Sequence, residues 1–375
     1  MLKVVKLVVI QPTPFCNIDC RYYYLPYRTS TKKMGLKTLE KIFSFLFSSP
    51  FVLNEVSVVW HAGEPMVLPI SFYRQAFNLA ECLKRADLKV KNSFQTNGTL
   101  ITQEWCDFIS ESGLKIGVSI DGPQFIHDRN RRDRFNRGTF EKVRRGIELL
   151  VENRIPFGVI AVLTDFSLDY PEEIFNFFLE SGAEEIGFNT EEVEGVNRIS
   201  SLGSEEAVGR YASFLKRIIV AREHNGKKIK IREVDRTISH ILRGDLPLKS
   251  TENKSGAILN FDCDGNVSTF SPELLTVNHP RFGNFSFGNI RSMASLKEMF
   301  KGEKFLAVNA EIQKGVSLCK EQCDYFALCG GGAPSNKLSE NGAFDTTETL
   351  TCRLRVKATT DIVLNYLEGR FNIET

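Results

Sequence analysis

The stretch Pro14-Phe15-Cys16-Asn17-Ile18-Asp19-Cys20-Arg21-Tyr22-Tyr23-Tyr24 follows a short apolar run, Val4 to Ile10, and places two cysteines four positions apart in a loop. Thiolate is the usual donor for cluster iron, so a cysteine pair just after a strand reads as the start of a metal loop. Two thiolates alone hold a labile cluster or none. On these residues the pair is either part of a metal site or two isolated loop thiols, and the rest of the chain decides.

The chain has 375 residues and an apolar fraction of 42%, enough for a large buried core and long enough for two or three domains. Its formal charge of +2 leaves no global field that would draw nucleic acid or an anionic membrane. The apolar runs are strand-sized, and Met1 to Ile10 is too short and interrupted for a signal peptide or a span, so a cytoplasmic location is expected. In that compartment nine cysteines stay reduced, and clustering among them argues for metal binding over disulfides. Cys82 and Cys106 fall in helical patterns, where a lone cysteine is a small buried apolar residue.

From Lys3 to about Gly226, strand-like runs alternate with amphipathic helices, the signature of an α/β fold with βα units around a parallel sheet. Strands are expected at Val4 to Ile10, Val56 to Trp60, Asn92 to Thr96, Ile116 to Ile120, Phe157 to Leu163 and Glu185 to Asn189. Helices are expected at Leu36 to Phe47, Phe72 to Arg85, Gln103 to Ser112, Phe140 to Asn153, Pro171 to Ser181 and Glu205 to His224. Functional groups gather at the carboxyl ends of such strands. There the chain reads Trp60-His61-Ala62-Gly63-Glu64-Pro65, then Gln95-Thr96-Asn97-Gly98, then Ser119-Ile120-Asp121-Gly122-Pro123. Each alone is an ordinary turn, but with the cysteine loop they make four polar elements at successive strand ends. A basic loop, His127 to Phe140, follows, and for any one of its arginines a solvated face is the plainer reading.

Beyond Asn225-Gly226 the rhythm stops. A helical segment, Val234 to Leu242, leads to Ile258 to Phe270, two strands joined at Asp264-Gly265. Then come Cys319-x3-Cys323-x5-Cys329 and, past Gly330-Gly331-Gly332, Cys352. Four thiolates suit either a cubane cluster or a zinc ion.

These motifs together resemble the radical SAM family with a SPASM/twitch extension, over nearly the whole chain. Its signature loop is C-x3-C-x2-C, whose three thiolates hold a [4Fe-4S] cluster while S-adenosyl-L-methionine (AdoMet) chelates the fourth iron. Cys16 and Cys20 match, and Tyr23 stands where the third cysteine belongs, a harder and more basic donor. The resemblance implies a partial (β/α)6 TIM-like barrel over residues 1–226 and a smaller α+β auxiliary-cluster domain over 227–375. Gly63, Glu64 and Pro65 match the family's G-G-E-P element, with Ala62 for its first glycine; Thr96, Asn97, Ser119, Asp121 and Arg131 are the further cofactor-binding candidates. It also tips the choice at Cys319, Cys323, Cys329 and Cys352 from zinc to one auxiliary [4Fe-4S] cluster. Ser271, Met293 and Ala333 stand where a second auxiliary cluster would need cysteines, and Cys263 has no evident partners. Leu354 to Phe371 is expected to pack back as a closing helix.

Within the family the chain looks closest to cyclophane-forming maturases, including those acting on glycine-rich-repeat precursors, on the segment Phe270-Ser271-Pro272-Glu273-Leu274-Leu275 and the reduced cluster set. The implied reaction removes a hydrogen atom from a ribosomally made precursor peptide with a 5′-deoxyadenosyl radical and closes a carbon-carbon crosslink at an aromatic residue. Glu273 is the candidate base, the auxiliary cluster the electron acceptor, and a flavodoxin or ferredoxin the electron donor. Other maturases of this chemistry, forming formylglycine or thioethers, fit the same motifs, and Tyr23 keeps open an inactive peptide-binding homologue. With two thiolates against four, one stable cluster is expected, at the C-terminal site. Only the first strand and its approach precede Cys16, so peptide recognition is expected to use the barrel, the second domain or another protein.

Overall fold

A strand buried on both faces must be apolar almost throughout, and β1, Leu7–Ile10, reads Leu-Val-Val-Ile with three of its four residues buried. It lies in the middle of a ten-stranded sheet in the computed structural model, which describes residues 4–226, 229–244 and 250–369. On one side β2 (Glu55–Trp60), β3 (Lys89–Thr96), β4 (Lys115–Ser119), β5 (Phe157–Leu163), β6 (Glu185–Thr190) and the two-residue β7 (Lys230–Ile231) follow in sequence order, all parallel. On the other side β8 (Ile258–Phe261) pairs parallel with β1, Leu7 opposite Ile258, and β9 (Asn266–Thr269) returns antiparallel to it. The hairpin expected of a separate second unit thus continues the barrel's own sheet.

The helices cover this sheet with stripes at helical spacing. In α1, Leu36–Phe47, the buried Leu39, Ile42, Phe43 and Leu46 fall on one face. The others in this part are α2 (Ile70–Leu83), α3 (Gln103–Ser112), α4 (Gln124–Asn130), α5 (Phe140–Glu152), α6 (Pro171–Glu180), α7 (Ala207–His224) and α8 (Arg232–Arg243). At the start of α3 Thr102 accepts from the Trp105 backbone N–H, and Gly113 closes its end with φ 65°.

The core reaches directly to the strand ends. Trp60, fully buried, packs edge-on against Tyr73, and Tyr73 against Phe94, with ring centroids 5.3 and 4.6 Å apart. The Tyr73 hydroxyl donates to the Pro65 carbonyl at 2.7 Å, so the turn after β2 is held by the aromatic core.

Of the helices outside the sequence pattern, two bear most on the site. The first is the short helix α4, which runs into the first four residues of the basic stretch and buries Ile126 and His127, His127 meeting the Thr139 hydroxyl at 3.0 Å. Seven residues with two buried positions carry too little periodicity to mark a helix. The second, Glu303–Gln322, buries Phe305, Val308, Ile312 and Gly315 and ends beside the C-terminal cysteines. After Cys352, Arg353–Ala358 is π-helical and Thr359–Leu367 α-helical. This closing segment docks on α7 through the Tyr211 and Thr359 hydroxyls, 3.1 Å apart, and through Tyr366, which donates to Glu223 at 2.7 Å. Phe371, expected in it, and residues 227–228, at the expected domain boundary, lie outside the described residues. Among the described residues no helix is long and apolar enough to cross a membrane.

Candidate active site

The cysteine loop lies on the turn after β2, and the turn is shaped to receive it. Gly63 has φ +104°, and a Cβ there would stand 2.2 Å from the Thr13 carbonyl oxygen, so only glycine admits the loop. Glu64 donates its N–H to the Phe15 carbonyl at 2.8 Å. Its buried carboxylate accepts from Met66 N–H at 3.0 Å, the Thr96 hydroxyl at 2.7 Å and Asn97 N–H at 2.7 Å. Burial pushes the Glu64 acid up to about 7 against these three donors. Asn97 in turn donates to Asn17 Oδ1 at 2.8 Å and to Cys16 Sγ at 3.7 Å.

A second brace comes from the fourth strand end. Asp121 accepts from Arg131 Nε at 3.0 Å, from the Val162 backbone N–H at 3.0 Å and from the Tyr22 hydroxyl. Arg131 also reaches Cys20 Sγ at 3.8 Å and lies over the Tyr22 ring. The segment after α4 closes over the loop: Asp19 and Arg21 donate their N–H groups to the Arg132 and Asn130 carbonyls, and Arg134 donates to the Cys16 carbonyl at 2.5 Å. Burial pushes the Cys16 thiol up to about 12 and the Cys20 thiol up to about 11, so without a cation both stay protonated.

Tyr23 projects into this same space. Its hydroxyl is buried without a hydrogen-bond partner, its ring stacks on Tyr24, and the Arg28 guanidinium lies 5.4 Å from the ring centroid. Burial, then the neighbouring Cys16 and Cys20, raise the phenol well above its usual range.

The C-terminal cysteines come from three segments. Cys319 is in the last turn of Glu303–Gln322, Cys323 caps it, Cys329 ends the short helix Phe326–Cys329, and Cys352 ends Leu350–Cys352. Asn253 donates to the Gly330 and Gly332 carbonyls at 2.8 and 3.0 Å, and the Gly331 and Gly332 N–H groups point at Cys329. Lys337, 4% exposed, donates to Cys319 Sγ at 3.2 Å and to the Gly315 carbonyl at 2.9 Å. Burial raises Cys329, and raises Cys352 to about 12. Among the described residues no three His, Cys, Asp or Glu side chains close on the point a single metal ion would occupy. Cys319 and Cys323 act on Cys329, and Cys323 and Cys329 on Cys352, so the four thiols stand near one another as the donor set of one four-thiolate centre.

Both cysteine groups open on one cavity of about 710 Å³. Gly63, Glu64, Thr96, Asn97, Ser119, Arg131 and Glu273 also line it, whereas Pro65 and Asp121 stand behind its wall. Thr96 donates to Glu64 and Arg131 to Asp121, so these residues position the wall, and Ser119 accepts from Gln95 at 2.8 Å. Burial, followed by Glu252 and Glu192, pushes Glu273 up to about 8. Tyr23, His61, Thr190 and Glu194 line the cavity, and each carries a buried polar atom, Oη, Nδ1, Oγ1 and Oε1 in turn, without a hydrogen-bond partner. Buried polar atoms without partners are costly, so four of them in residues lining one cavity set this wall apart from the rest of the core. The donor set fits a four-thiolate cluster at one end, and two thiols with an unpartnered phenol oxygen at the other.

Sequence reasoning did not reach His61, Thr190, Glu194, Lys337 or Arg355, which lines the cavity and donates to Glu192 at 2.9 Å. His61 sits inside a quoted motif, and Thr190 ends β6 with Glu191-Glu192-Val193-Glu194 just after it, so the strand-end rule applied to the sixth strand finds Thr190 and Glu194. Lys337 and Arg355 arrive from distant segments without a local signal.

The family model of the radical SAM superfamily matches residues 10–178. Over 367 residues the chain is 42% identical to an uncharacterized protein of Synechocystis sp., covering 97% of this chain and 92% of that one. It is 31% identical to the serine-type anaerobic sulfatase-maturating enzyme of Bacteroides thetaiotaomicron, covering 88% and 83%. Native anSMEcpe, solved with bound AdoMet and Cp18Cys peptide, superposes with a TM-score of 0.80 at 26% identity, over 97% of this chain and 98% of that one.

Proposed function

Because the chain belongs to the radical SAM superfamily, we propose that it modifies a ribosomally made precursor peptide by hydrogen-atom abstraction from a side chain held in the shared cavity. The observation that carries this reading is the cavity itself, lined by both cysteine groups and by the strand-end residues Gly63, Glu64, Thr96, Asn97 and Ser119. In this reading Cys319, Cys323, Cys329 and Cys352 hold the auxiliary [4Fe-4S] cluster. Cys16, Cys20 and the phenol oxygen of Tyr23 face the first one, and Gly63, Asn97 and Ser119 line the place of AdoMet. When bound, the first cluster and AdoMet supply a 5′-deoxyadenosyl radical that removes a hydrogen atom from an unactivated carbon.

The chain's own residues do the rest. The Glu64–Asn97–Asn17 bonds hold the cysteine loop on Gly63, and Asp121 with Arg131 fixes it from the other side. Closing the product requires one more electron and one proton to leave: the electron would pass to the auxiliary cluster held by Cys319, Cys323, Cys329 and Cys352, and Glu273, on the cavity wall with its carboxyl pushed up to about 8, takes the proton in its ionised form. A flavodoxin- or ferredoxin-type protein is the electron source.

Two products fit. A carbon-carbon crosslink at an aromatic residue is the reading drawn from the segment around Glu273. Oxidation of a serine or cysteine to formylglycine is favoured by the full-length likeness to sulfatase-maturating enzymes. The test is anaerobic turnover of reconstituted protein with AdoMet, a reductant and the peptide encoded beside its gene, read by mass spectrometry. Crosslinking and serine oxidation both remove two hydrogen atoms, but only the aldehyde reacts with a hydrazide and only the crosslink blocks backbone fragmentation within a ring. AdoMet cleavage that leaves every such peptide unchanged would overturn the peptide reading.

A further inference from the structure

The outer side of the cysteine loop is a surface that the proposed reaction does not use. Cys16, Ile18, Cys20, Tyr22, Tyr23 and Tyr24 line the cavity, whereas Arg21 and Arg28 of the same loop stand off its wall. So do Arg132, Arg134, Phe135 and Arg137 of the segment packed on that loop. Ile18 bridges to Asp133, Arg28 donates to the Cys20 carbonyl at 3.2 Å, and Arg134 donates to the Cys16 and Arg28 carbonyls at 2.5 and 2.6 Å. This surface therefore stands on the backbone of the two cysteines themselves.

A tight turn on this surface holds an aromatic ring out into water. Asp133 accepts from the Phe135 and Arg137 N–H groups at 2.9 and 3.0 Å and from Arg137 Nε at 2.9 Å. The Asn136 N–H reaches the Asp133 carbonyl at 2.9 Å, and Asn136 takes φ 60°. So fixed, the turn leaves Phe135 79% exposed, with the Arg137 guanidinium 5.1 Å from its ring centroid. A large ring presented to water by a stiff turn has the form of an interface anchor. The charge around it is mostly of one sign. Apart from Arg131, which is buried against Asp121, residues 19–28 and 128–137 hold six arginines and three aspartates. The Asp133 side chain is 8% exposed and that of its partner Arg137 68%, so this pair shows its cation to water. Asp128 gives an oxygen to the Phe140 N–H at 2.9 Å, and Arg132 and Arg134 are held by backbone carbonyls, which leave their charge uncompensated.

An electron carrier serving the iron that this loop would hold cannot use the cavity, which in the proposed function takes AdoMet and the peptide. It has to come to the outer side, where it meets cations and one exposed ring. A flavodoxin-type protein complements both features: its surface is acidic, and the flat apolar edge of its flavin is open to water. We propose that the outer face of the cysteine loop, Phe135 with Arg21, Arg28, Arg132, Arg134 and Arg137, is the docking surface for a flavodoxin-type protein. This rests on the electron source given above and deepens it into a place on the molecule. One electron leaves the hydroquinone flavin of the docked carrier, which becomes a semiquinone, and enters the cluster across the loop; no other bond changes.

The experiment measures, by calorimetry, binding of the reconstituted protein to a purified flavodoxin with its flavin oxidised. Affinity is expected to fall about ten-fold or more between roughly 20 and 200 mM salt, as screening weakens a charged interface. Phe135→Ala is expected to weaken binding about ten-fold, the loss of an anchor ring. Arg21→Glu is expected to weaken it about five-fold or more by setting like charges against each other. AdoMet affinity should stay unchanged in both. Lys115→Glu, exposed at the amino end of β4 and so at the opposite end of the sheet, should bind flavodoxin as the unmodified protein does. Full affinity in both Phe135→Ala and Arg21→Glu, or an equal loss in Lys115→Glu, overturns the surface; if reduced flavodoxin is still oxidised by the protein, the electron source stands. Binding of a ferredoxin and not of flavodoxin overturns the choice of carrier. No binding and no electron uptake from either defeats the electron source and the surface with it.

Discussion

Replacing Tyr23→Cys exchanges the one residue of the barrel loop whose polar atom faces the thiols and has no partner. The unmodified chain offers four thiols at the C-terminal site and two at the barrel, beside a phenol that is harder, more basic and held protonated by burial. Its iron content after anaerobic reconstitution is therefore expected near four per chain, almost all at Cys319, Cys323, Cys329 and Cys352, and that of Tyr23→Cys near eight. The substitution also removes a ring packed against the cluster of Cys16, Ile18 and Cys20, with the Arg28 guanidinium above it. Changes outside the donor shell of a metal site commonly cost about ten- to a hundred-fold, and a missing donor costs more, so reductive AdoMet cleavage should rise by at least about a hundred-fold. The assay is 5′-deoxyadenosine formed with dithionite, alongside iron and sulfide analysis. Tyr23→Phe is the control: it keeps the ring, removes the oxygen, and should fall below the unmodified chain to the extent that the phenol donates to iron. About eight irons per chain and equal cleavage without the substitution would refute the argument from donor softness. Zinc bound without sulfide would refute the cluster at the four cysteines.

Three further outcomes follow from the same geometry. Glu273 is an acid pushed up to about 8, so it carries its proton at neutral pH and accepts one only when ionised; turnover should climb as pH passes 8, and Glu273→Gln should flatten the climb and slow the reaction by about a hundred-fold or more. Lys337→Met removes an ammonium that donates to Cys319 and favours the more negative, reduced cluster; its loss should lower the auxiliary potential by about 60 mV or more in a spectroelectrochemical titration, and an unchanged potential would sever Lys337 from the cluster. Gly63→Ala places a methyl group against the Thr13 carbonyl at positive φ, so this variant should lose cluster at the barrel and melt lower, while Gly113→Ala, with open space around its Cβ, should keep its iron.

Much of this molecule is legible along the chain because the alternation of strand and helix is local. Each parallel strand writes its burial as an apolar run, and each amphipathic helix writes its face at a spacing of three and four, so all six βα units stand close to where the pattern puts them. The strand-end motifs and the spacing of Cys319, Cys323 and Cys329 are likewise local statements of chemistry. Packing alone decided what meets what. The parallel pairing of Ile258 with Leu7, some 250 positions apart, continues the barrel sheet into the hairpin, and nothing in either segment names its partner. The same holds for the cavity shared by Cys16 and Cys352, for Lys337 against Cys319, and for Glu194 lodged beside the cysteine loop by a backbone contact at Gly195. Tyr23 shows the division most clearly. Its identity marks a missing thiol, but only the fold, by burying the hydroxyl away from any donor or acceptor and turning it toward two cysteines, makes it a chemical group still facing the place where a metal would sit.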